Sequence, residues 1–329
     1  MRGARAVSRK PSPVQVELKA SAASNAEAHG PLEVPFSGPD IGSMTIATYG
    51  LVDDEEIELD AAALVLSELD HPGTDLAPYI ELLRQIDGRL HELGFEAVES
   101  NDQAQLLASV LHGEFSFTGD TETYDVPLNG DFIRVMDRRR GLPVSLSILY
   151  VAAARRMGWK AEPLNTPGHV LVRIGDQAPV IIDPFNGGAI VEERQILALL
   201  NGFMVAGARI STDEIEKMTN RSTLVRLLMN QASRAEHAND PGRAITLYQR
   251  MTLVAPGNPD GWWALARLQL AAGLIEQARG SLSAMLEVTR NPERREIVTA
   301  ALEAISRANE PSRQDRANDE RQQLGRWRE

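Results

Sequence analysis

The stretch from Pro143 to Asp183 limits most strongly what this chain can fold into. Pro143 suits the first turn of a helix, where its missing N–H costs no hydrogen bond. Apolar residues then recur at helical spacing until Gly158, a residue typical of a helix C-terminus. Two short apolar runs follow at about 169–174 and 179–183, joined by turn residues. The sequence therefore predicts a buried central helix followed by a β-hairpin.

The predicted hairpin fixes the positions of one histidine and one aspartate. If the turn centres between Asp176 and Gln177, then His169 and Asp183 lie opposite, or nearly opposite, each other on one face of the sheet. Direct cross-strand partners have Cβ atoms about 4.5–5.5 Å apart, so the imidazole can donate a hydrogen bond to the carboxylate. An aspartate that holds a histidine in one tautomer is the orienting half of a catalytic triad. His169 and Asp183 are therefore the candidate catalytic pair.

A 34-residue repeat occupies the C-terminal third of the chain. The repeated packing positions are Leu228, Ala232, Ala244, Tyr248 and Met251 in one unit and Trp262, Ala266, Ala278, Leu282 and Met285 in the next. This period, with alanines where helices approach closely, indicates two tetratricopeptide units. A free-standing solenoid needs about three units. We therefore expect the two units to pack on the helical stretch 292–307, with the N-terminal domain as a second available surface.

Helical periodicity also predicts three helices in the N-terminal half, over residues 55–69, 76–93 and 101–112. Residues 113–130 are rich in Gly, Thr, Asp and aromatic residues and are predicted to form a loop, and loops of this length in compact domains are often functional. The predicted organisation is a disordered arm over 1–45, an α+β domain over 46–215, repeat helices over 220–307 and a polar tail over 308–329.

The lack of cysteine narrows the chemistry open to this chain. Zero cysteines exclude disulfides, zinc–thiolate sites and a thiol nucleophile, and suit a reducing compartment such as the cytoplasm. The net charge of −12 argues against a general nucleic-acid binder. No run of about 18 apolar residues is present that would span a membrane. No spacing typical of a zinc or calcium site occurs, so we predict neither a metal nor a cofactor.

Several motifs match those of one known family. They are Asn129, the run Arg139–Ser147, Pro167-Gly168-His169, Asp183-Pro184-Phe185 and Gly187-Gly188. Over about residues 60–290 the chain resembles the SirB-type family, in which a transglutaminase-like domain precedes tetratricopeptide repeats. The resemblance implies an α+β fold, with a papain/transglutaminase-like core of helices and antiparallel sheet and a C-terminal α-helical repeat domain.

The resemblance also implies that the nucleophile is missing. In active transglutaminase-like proteins a Gly-x-Cys motif opens the central helix, and here Gly141-Leu142-Pro143 stands in that place. Proline has no nucleophilic atom. The nearest hydroxyls belong to Ser145 and Ser147, and a residue two positions along a helix is rotated by about 200°. We therefore expect Ser145 to point away from the place of the absent thiol.

Two interpretations of the candidate catalytic residues stay open. His169 and Asp183 form either a structural hydrogen bond inherited from an enzyme ancestor or a retained catalytic pair. Ser145 is either the nucleophile of a Ser-His-Asp hydrolase or acyl-transferase, or a helix N-terminal residue that bonds a free backbone N–H. No Gly-x-Ser-x-Gly elbow surrounds Ser145, which favours the second interpretation.

Two further motifs also have an ordinary and a functional interpretation. Gly187-Gly188 is a turn rather than a phosphate cradle, because no glycine-rich phosphate-binding spacing surrounds it. The run Arg138-Arg139-Arg140 is favoured as a solvated face or a set of salt-bridge partners, with an anion site as the alternative.

The repeat helices supply the candidate partner site. Trp262 fills a packing position, so Trp263 is expected on another face of its helix. The candidate partner-binding residues are Arg226, Met229, Trp263 and Arg267. An exposed Trp beside Arg is a common peptide anchor, and the alternative is that Trp263 packs against the core domain or a neighbouring helix. We predict a cytoplasmic bacterial adaptor that binds a protein or peptide without catalysis, with a hydrolase or acyl-transferase as the alternative.

Overall fold

The structure is a computed structural model that describes residues 45–192, 194–196 and 215–309. The predicted disordered arm, as far as residue 44, and the polar tail, beyond residue 309, lie outside the described residues. The described part follows the predicted order of helices, then a helix–sheet unit, then repeat helices. This order confirms the predicted α+β fold class.

The helices are α1 (Ile46–Tyr49), α2 (Leu59–Glu68), α3 (Ala77–Leu93), α4 (Ser100–Leu107), α5 (Phe132–Arg138), α6 (Pro143–Arg156), α7 (Asn220–His237), α8 (Pro241–Val254), α9 (Pro259–Ala271), α10 (Ile275–Val288) and α11 (Pro292–Asn309). A π-helical turn, Ala108–Glu114, continues α4. None of the helices in the described ranges has both the length and the apolar character that crossing a lipid bilayer requires.

The strands are β1 (Thr118–Gly119), β2 (Arg140–Gly141), β3 (Ala161–Thr166), β4 (His169–Ile174), β5 (Val180–Asp183) and β6 (Ala189–Ile190). β1 and β2 form a short parallel pair, and β3, β4, β5 and β6 form one antiparallel sheet in that order. The two strands predicted after the central helix are confirmed as β4 and β5. Strand β3 is an element that the sequence pattern does not predict.

The register of the β4–β5 hairpin differs slightly from the prediction. Val172 pairs with Ile182, so the turn is centred on Gln177 rather than between Asp176 and Gln177. The shift makes His169 and Asp183 diagonal neighbours instead of direct partners. Because side chains alternate along each strand, the side chains of His169 and Asp183 still lie on the same side of the sheet.

Helix α6 is the centre of the molecule, as predicted. Every residue from Pro143 to Ala154 is buried. One side of α6 packs on helices α2, α3 and α4 and another on strands β3 and β4. Because α6 meets neighbours all round, it is apolar on every face rather than amphipathic. The start of α6 is therefore held rigidly against the sheet.

The main hydrophobic core continues from α6 into the repeat helices. Its buried members include Leu146 and Tyr150 of α6 and Leu224 and Leu228 of α7. A second cluster covers the other face of the sheet and contains Leu164, Leu171, Ile181, Ile196 and Ile215. The described parts of the α+β region and of the repeats thus bury apolar surface against each other.

The repeat helices pack at the predicted positions. The four repeat alanines are buried, namely Ala232, Ala244, Ala266 and Ala278. Trp262 is half-buried, and its indole Nε1 donates to the Pro256 carbonyl at 2.7 Å. Helix α11 packs on α10 through buried Val298 and Ile305. The expected packing of the repeats on residues 292–307 is therefore confirmed.

Two carboxylates join the repeats to the N-terminal helices. Asp54 accepts the backbone N–H groups of Asn220 at 2.8 Å and Arg221 at 2.9 Å, at the start of α7. Asp70 accepts hydrogen bonds from the guanidinium groups of Arg243 and Arg250 in α8. The predicted boundaries at 215 and 220 stay predictions.

Candidate functional site

His169 and Asp183 are in hydrogen-bond contact. The imidazole Nε2 lies 2.9 Å from the Asp183 Oδ1. His169 is the first residue of β4, and Asp183 is the last residue of β5. The predicted contact is therefore present, and the role of the pair stays a prediction.

Asp183 also organises the turn that follows it. Its Oδ1 accepts the backbone N–H groups of Phe185 at 3.0 Å and Asn186 at 3.3 Å, and its Oδ2 accepts the Asn186 amide at 2.6 Å. Burial raises the pKa of Asp183, but the hydrogen bonds from His169 and Asn186 outweigh burial and leave this pKa below its ordinary value. An ionised carboxylate can only accept, so the His169 Nε2 carries a proton and Nδ1 is the remaining acceptor of a neutral ring.

Two aromatic rings pack around this pair. Phe185 meets the His169 ring edge to face with centroids 5.8 Å apart, and Tyr124 meets Phe185 in the same way, also at 5.8 Å. The His169 side chain is only 17% exposed. The imidazole therefore sits against packed rings rather than in a wide open cleft.

The pair lies close to the start of the central helix. A side-chain carbon on Gly119 would come within 2.6 Å of the Phe185 ring, so this ring lies directly on the Gly119 backbone. Gly119 pairs with Gly141, two residues before Pro143. Phe185 thus connects His169 to the start of α6, where the buried Pro143 lies; that Pro143 takes the place of a nucleophile stays a prediction.

The two serines of the central helix are both buried and hydrogen-bonded elsewhere. The Ser145 hydroxyl is fully buried and donates to the Asn129 carbonyl at 3.0 Å. The Ser147 hydroxyl donates to the Val170 carbonyl at 3.3 Å. The sequence favours Ser145 as a residue that accepts a hydrogen bond from a free backbone N–H. In the structure the hydroxyl instead donates to a backbone carbonyl. The reason is that the chain before the helix brings the Asn129 carbonyl next to the hydroxyl.

Asn129, one of the motif residues, anchors the loop beside the site. Its amide donates to the Thr123 carbonyl at 2.6 Å, and its Oδ1 accepts from Arg138 at 2.8 Å. Arg138 also pairs with the fully buried Asp120 at 2.6 Å. Burial raises the pKa of Asp120, but hydrogen bonds from Thr123 and Arg138 bring it well below its ordinary value. The sequence gives no signal for Asp120 beyond its place in an acidic, turn-rich loop.

Two residues that sequence reasoning did not single out, Arg234 and Tyr124, extend the site toward the repeats. The Arg234 guanidinium lies over the Tyr124 ring, 5.6 Å from its centroid. It also donates to the Tyr124 carbonyl at 3.3 Å. Arg234, Tyr124 and Phe185 therefore form a continuous row of contacts from α7 to His169. Tyr124 was signalled only by the aromatic content of the predicted loop, and Arg234 had no sequence signal.

The predicted partner-binding residues lie on two helices with different exposure. Trp263 is 39% exposed and Arg267 pairs with Glu236 of α7 at 2.5 Å. Arg226 is half-buried, and half-buried Met229 packs against the main core. Trp263 therefore lies on the outside of α9, as the packing of Trp262 predicts, and binding by these four residues stays a prediction.

Comparisons with known proteins agree with this architecture. Residues 77–229 match a family described as the transglutaminase-like superfamily, and residues 235–302 match the tetratricopeptide repeat. The chain carries a transglutaminase-like domain followed by tetratricopeptide repeats. The matches confirm the predicted order of the two parts.

Several proteins resemble this transglutaminase-like chain. A UPF0162 protein of Xylella fastidiosa (strain 9a5c) is 27% identical over 262 residues, which cover 78% of this chain and 92% of that protein. Human F-box only protein 21 is 38% identical over 100 residues, or 28% of this chain and 16% of that protein. A crystal structure of menin, which reveals menin's binding site for the Mixed Lineage Leukemia (MLL) protein, is 14% identical with a TM-score of 0.37. The match covers 77% of this chain and 72% of the menin chain. A TM-score of this size establishes neither a shared fold nor a shared function.

Proposed function

We propose that this protein is a non-catalytic adaptor that binds a protein or peptide, built on a transglutaminase-like scaffold and its repeats. The observation that carries the proposal is the state of Ser145, whose hydroxyl is fully buried and donates to the Asn129 carbonyl. A His–Asp pair accelerates acyl transfer only when a nucleophile lies within hydrogen-bond reach of the histidine. Pro143 has no nucleophilic atom. The hydroxyl of Ser145, the nearest predicted alternative, is already hydrogen-bonded to the Asn129 carbonyl.

The repeats supply the surface on which a partner would bind. Trp263, Arg267 and Leu270 follow one another at helical spacing on α9, and all three are exposed. Trp and Arg are the residues most enriched where interfaces gain their affinity. The proposal places the protein in the cytoplasm, since a chain without cysteine suits a reducing compartment.

A selection for peptides tests the binding role directly. The full chain is used to select binders from a phage-displayed library of random peptides, and the affinities of the selected peptides are then measured by isothermal titration calorimetry. We expect Trp263→Ala to weaken these peptides about tenfold or more. Phe95→Ala is the matched control, because Phe95 is a 94% exposed aromatic residue outside the repeats. Equal affinities for Trp263→Ala and the wild-type chain for every selected peptide would remove this face from the proposal.

The enzyme alternative has its own test. A serine-directed fluorophosphonate probe is incubated with the wild-type chain, Ser145→Ala and His169→Gln. We expect no labelling that depends on either residue, because a buried hydroxyl bonded to a carbonyl is neither accessible nor activated. Labelling of the wild-type chain that disappears in both variants would instead establish a Ser-His-Asp hydrolase.

A further inference from the structure

The three consecutive arginines before the central helix have different surroundings. Arg138 pairs with Asp120 at 2.6 Å, and Arg140 pairs with Glu122 at 3.2 Å. Within residues 45–192, 194–196 and 215–309, Arg139 has no carboxylate within ion-pair distance. The interpretation of this run as salt-bridge partners therefore fits two of the arginines and fails for Arg139.

The backbone of Arg139 takes a conformation that is unusual for an arginine. At the end of α5 it has φ +57° and ψ +23°, the left-handed region in which glycine or asparagine is normally found. A residue with a Cβ reaches this region only against steric resistance, and such strain clusters at functional sites. The conformation places the guanidinium over the ring of the buried Phe117, 4.8 Å from its centroid.

Arg139 is half-buried, and one of its guanidinium nitrogens lacks a hydrogen-bond partner in the described part of the chain. Its Nη1 is buried and has no hydrogen-bond partner among the residues that the structure describes. Burial lowers the pKa of Arg139 from its ordinary value, and an arginine remains protonated in proteins all the same. A half-buried cation without an ion-pair partner keeps part of its hydrogen-bonding capacity unused, so an anion beside it gains charge-assisted hydrogen bonds.

Arg139 lines a cavity of about 360 Å³ between α3 and the end of α5. The cavity has apolar walls from Pro78, Leu82 and Met136, and its polar groups come from Tyr79, Gln85, Asp137 and Arg139. Asp137 is already satisfied, because its Oδ1 accepts from the Tyr79 hydroxyl at 3.0 Å and its Oδ2 accepts from Arg134 at 3.4 Å. The charge left without a partner in this cavity is therefore the positive one.

We propose that this cavity binds an organic carboxylate with an apolar body, which is either a free acid or the C-terminal residue of a peptide. The carboxylate accepts hydrogen bonds from the Arg139 guanidinium, and the apolar body lies against Pro78, Leu82 and Met136. The cavity lies outside the His169–Asp183 site and the repeat face, so this inference does not rest on the proposed adaptor role.

Saturation-transfer NMR and calorimetry on the full chain test the proposal, with hexanoate and benzoate as probes and hexanamide and benzamide as uncharged controls. We expect the acids to bind and the amides to bind at least about tenfold more weakly. Arg139→Gly is the decisive variant, because glycine accepts φ +57° without strain and the protein therefore folds. Its affinity for the acids should be about tenfold or more below that of the wild type, while Arg140→Gln keeps the wild-type affinity.

A second arm distinguishes the two sources of the carboxylate. The tripeptide Ala-Ala-Leu is titrated with a free and with an amidated C-terminus. Tighter binding of the free peptide than of hexanoate identifies a peptide C-terminus, and the reverse identifies a free acid. Binding of the acids to Arg139→Gly with unchanged affinity, equal binding of acids and amides, or no binding of any probe would each overturn the proposal.

Discussion

Arg156 lies between a buried carboxylate, Asp60, and a partly buried one, Asp87, which belong to different helices. Its Nη1 is 2.8 Å from the Asp60 Oδ2, and its Nε is 2.6 Å from the Asp87 Oδ2. One guanidinium thus serves two acids, and Asp60 is fully buried. Burial raises the pKa of Asp87 to about 6, and the attraction of Arg156 offsets this rise only in part.

The raised pKa gives Asp87 a definite effect on stability. Between its unfolded value of 3.8 and its folded value of about 6, the native state holds a proton that the unfolded state has released. Stability from this group is therefore complete below pH 3.8 and is lost as the pH rises through about 6. Asp87→Asn removes this loss, so the free energy of unfolding of the variant should rise relative to the wild type by about 2–2.5 kcal/mol from pH 4 to pH 7.

Urea denaturation at several pH values measures this difference. Asp176→Asn is the matched control, because Asp176 is exposed and pairs only with Lys160 at the surface. A constant difference in stability between Asp87→Asn and the wild type across this pH range would show that Asp87 is ionised throughout.

Sequence reasoning reached some residues and not others for a physical reason. His169 and Asp183 lie on neighbouring strands of one hairpin, so counting from the turn was enough to bring them together. Asp60 and Arg156 meet across 96 positions, and among the described residues no acid distant in sequence comes within ion-pair distance of Arg139. Contacts between residues far apart in sequence depend on how the helices pack, and a local sequence pattern does not predict that packing.

Among the elements, the turn between β5 and β6 depends most on its glycines. Gly187 and Gly188 take φ values of +68° and +78°. A side-chain carbon on Gly188 would lie 2.8 Å from the Tyr150 ring and 2.9 Å from the Ala108 Cβ. The prediction of a turn rather than a phosphate cradle agrees with this packing. The glycines let the chain pass close to α6 and to the π-helical turn.

We therefore expect Gly188→Ala to destabilise the fold by about 2–3 kcal/mol, because the methyl group meets both backbone strain and a crowded core. Gly280→Ala is the control. Gly280 is an exposed residue of α10, and no atom of the described residues lies near the position that a Cβ would take. Alanine there should stabilise the fold by about 0.5–1 kcal/mol. Chemical denaturation gives both values. A loss of less than about 0.5 kcal/mol for Gly188→Ala would contradict the tight packing described here.

The elements that sequence reasoning missed share a weak local signal. Strand β3 contains Pro163 in the ladder opposite Val172, and a proline argues against a strand. Helix α5 has only seven residues, too few for its periodicity to stand out. Helix α6 was predictable because Pro143 and Gly158 mark its two ends and an apolar stripe runs between them.

At the scale of the whole molecule, the first repeat helices, α7 and α8, share one core with the transglutaminase-like domain. Leu224 and Leu228 of α7 belong to the same buried cluster as Leu146 of α6. Asp54 and Asp70 add hydrogen bonds between the two parts. The period of the repeats predicted their helices. Only the packing shows that α7 and α8 are part of the same core as the first domain.

This shared core predicts one cooperative unfolding transition. A variant that keeps only Trp159 reports on the transglutaminase-like domain, and a variant that keeps only Trp262 reports on the repeats; the remaining tryptophans are changed to Phe. The fluorescence midpoints in urea should coincide within error, as should the slopes. Two separated midpoints would mean that the repeats unfold on their own.

The hydrogen bonds of Arg221 have a consequence for protein synthesis. Its guanidinium donates to the Tyr49 carbonyl from 172 positions later in the chain. At about 5–20 residues per second, a ribosome needs roughly 10–30 s to translate that interval. Helix α1, which packs on α8, therefore lacks this part of its packing surface until the repeats are made. Any pause in translation between these points lengthens the period in which the nascent chain is open to aggregation or to capture by chaperones.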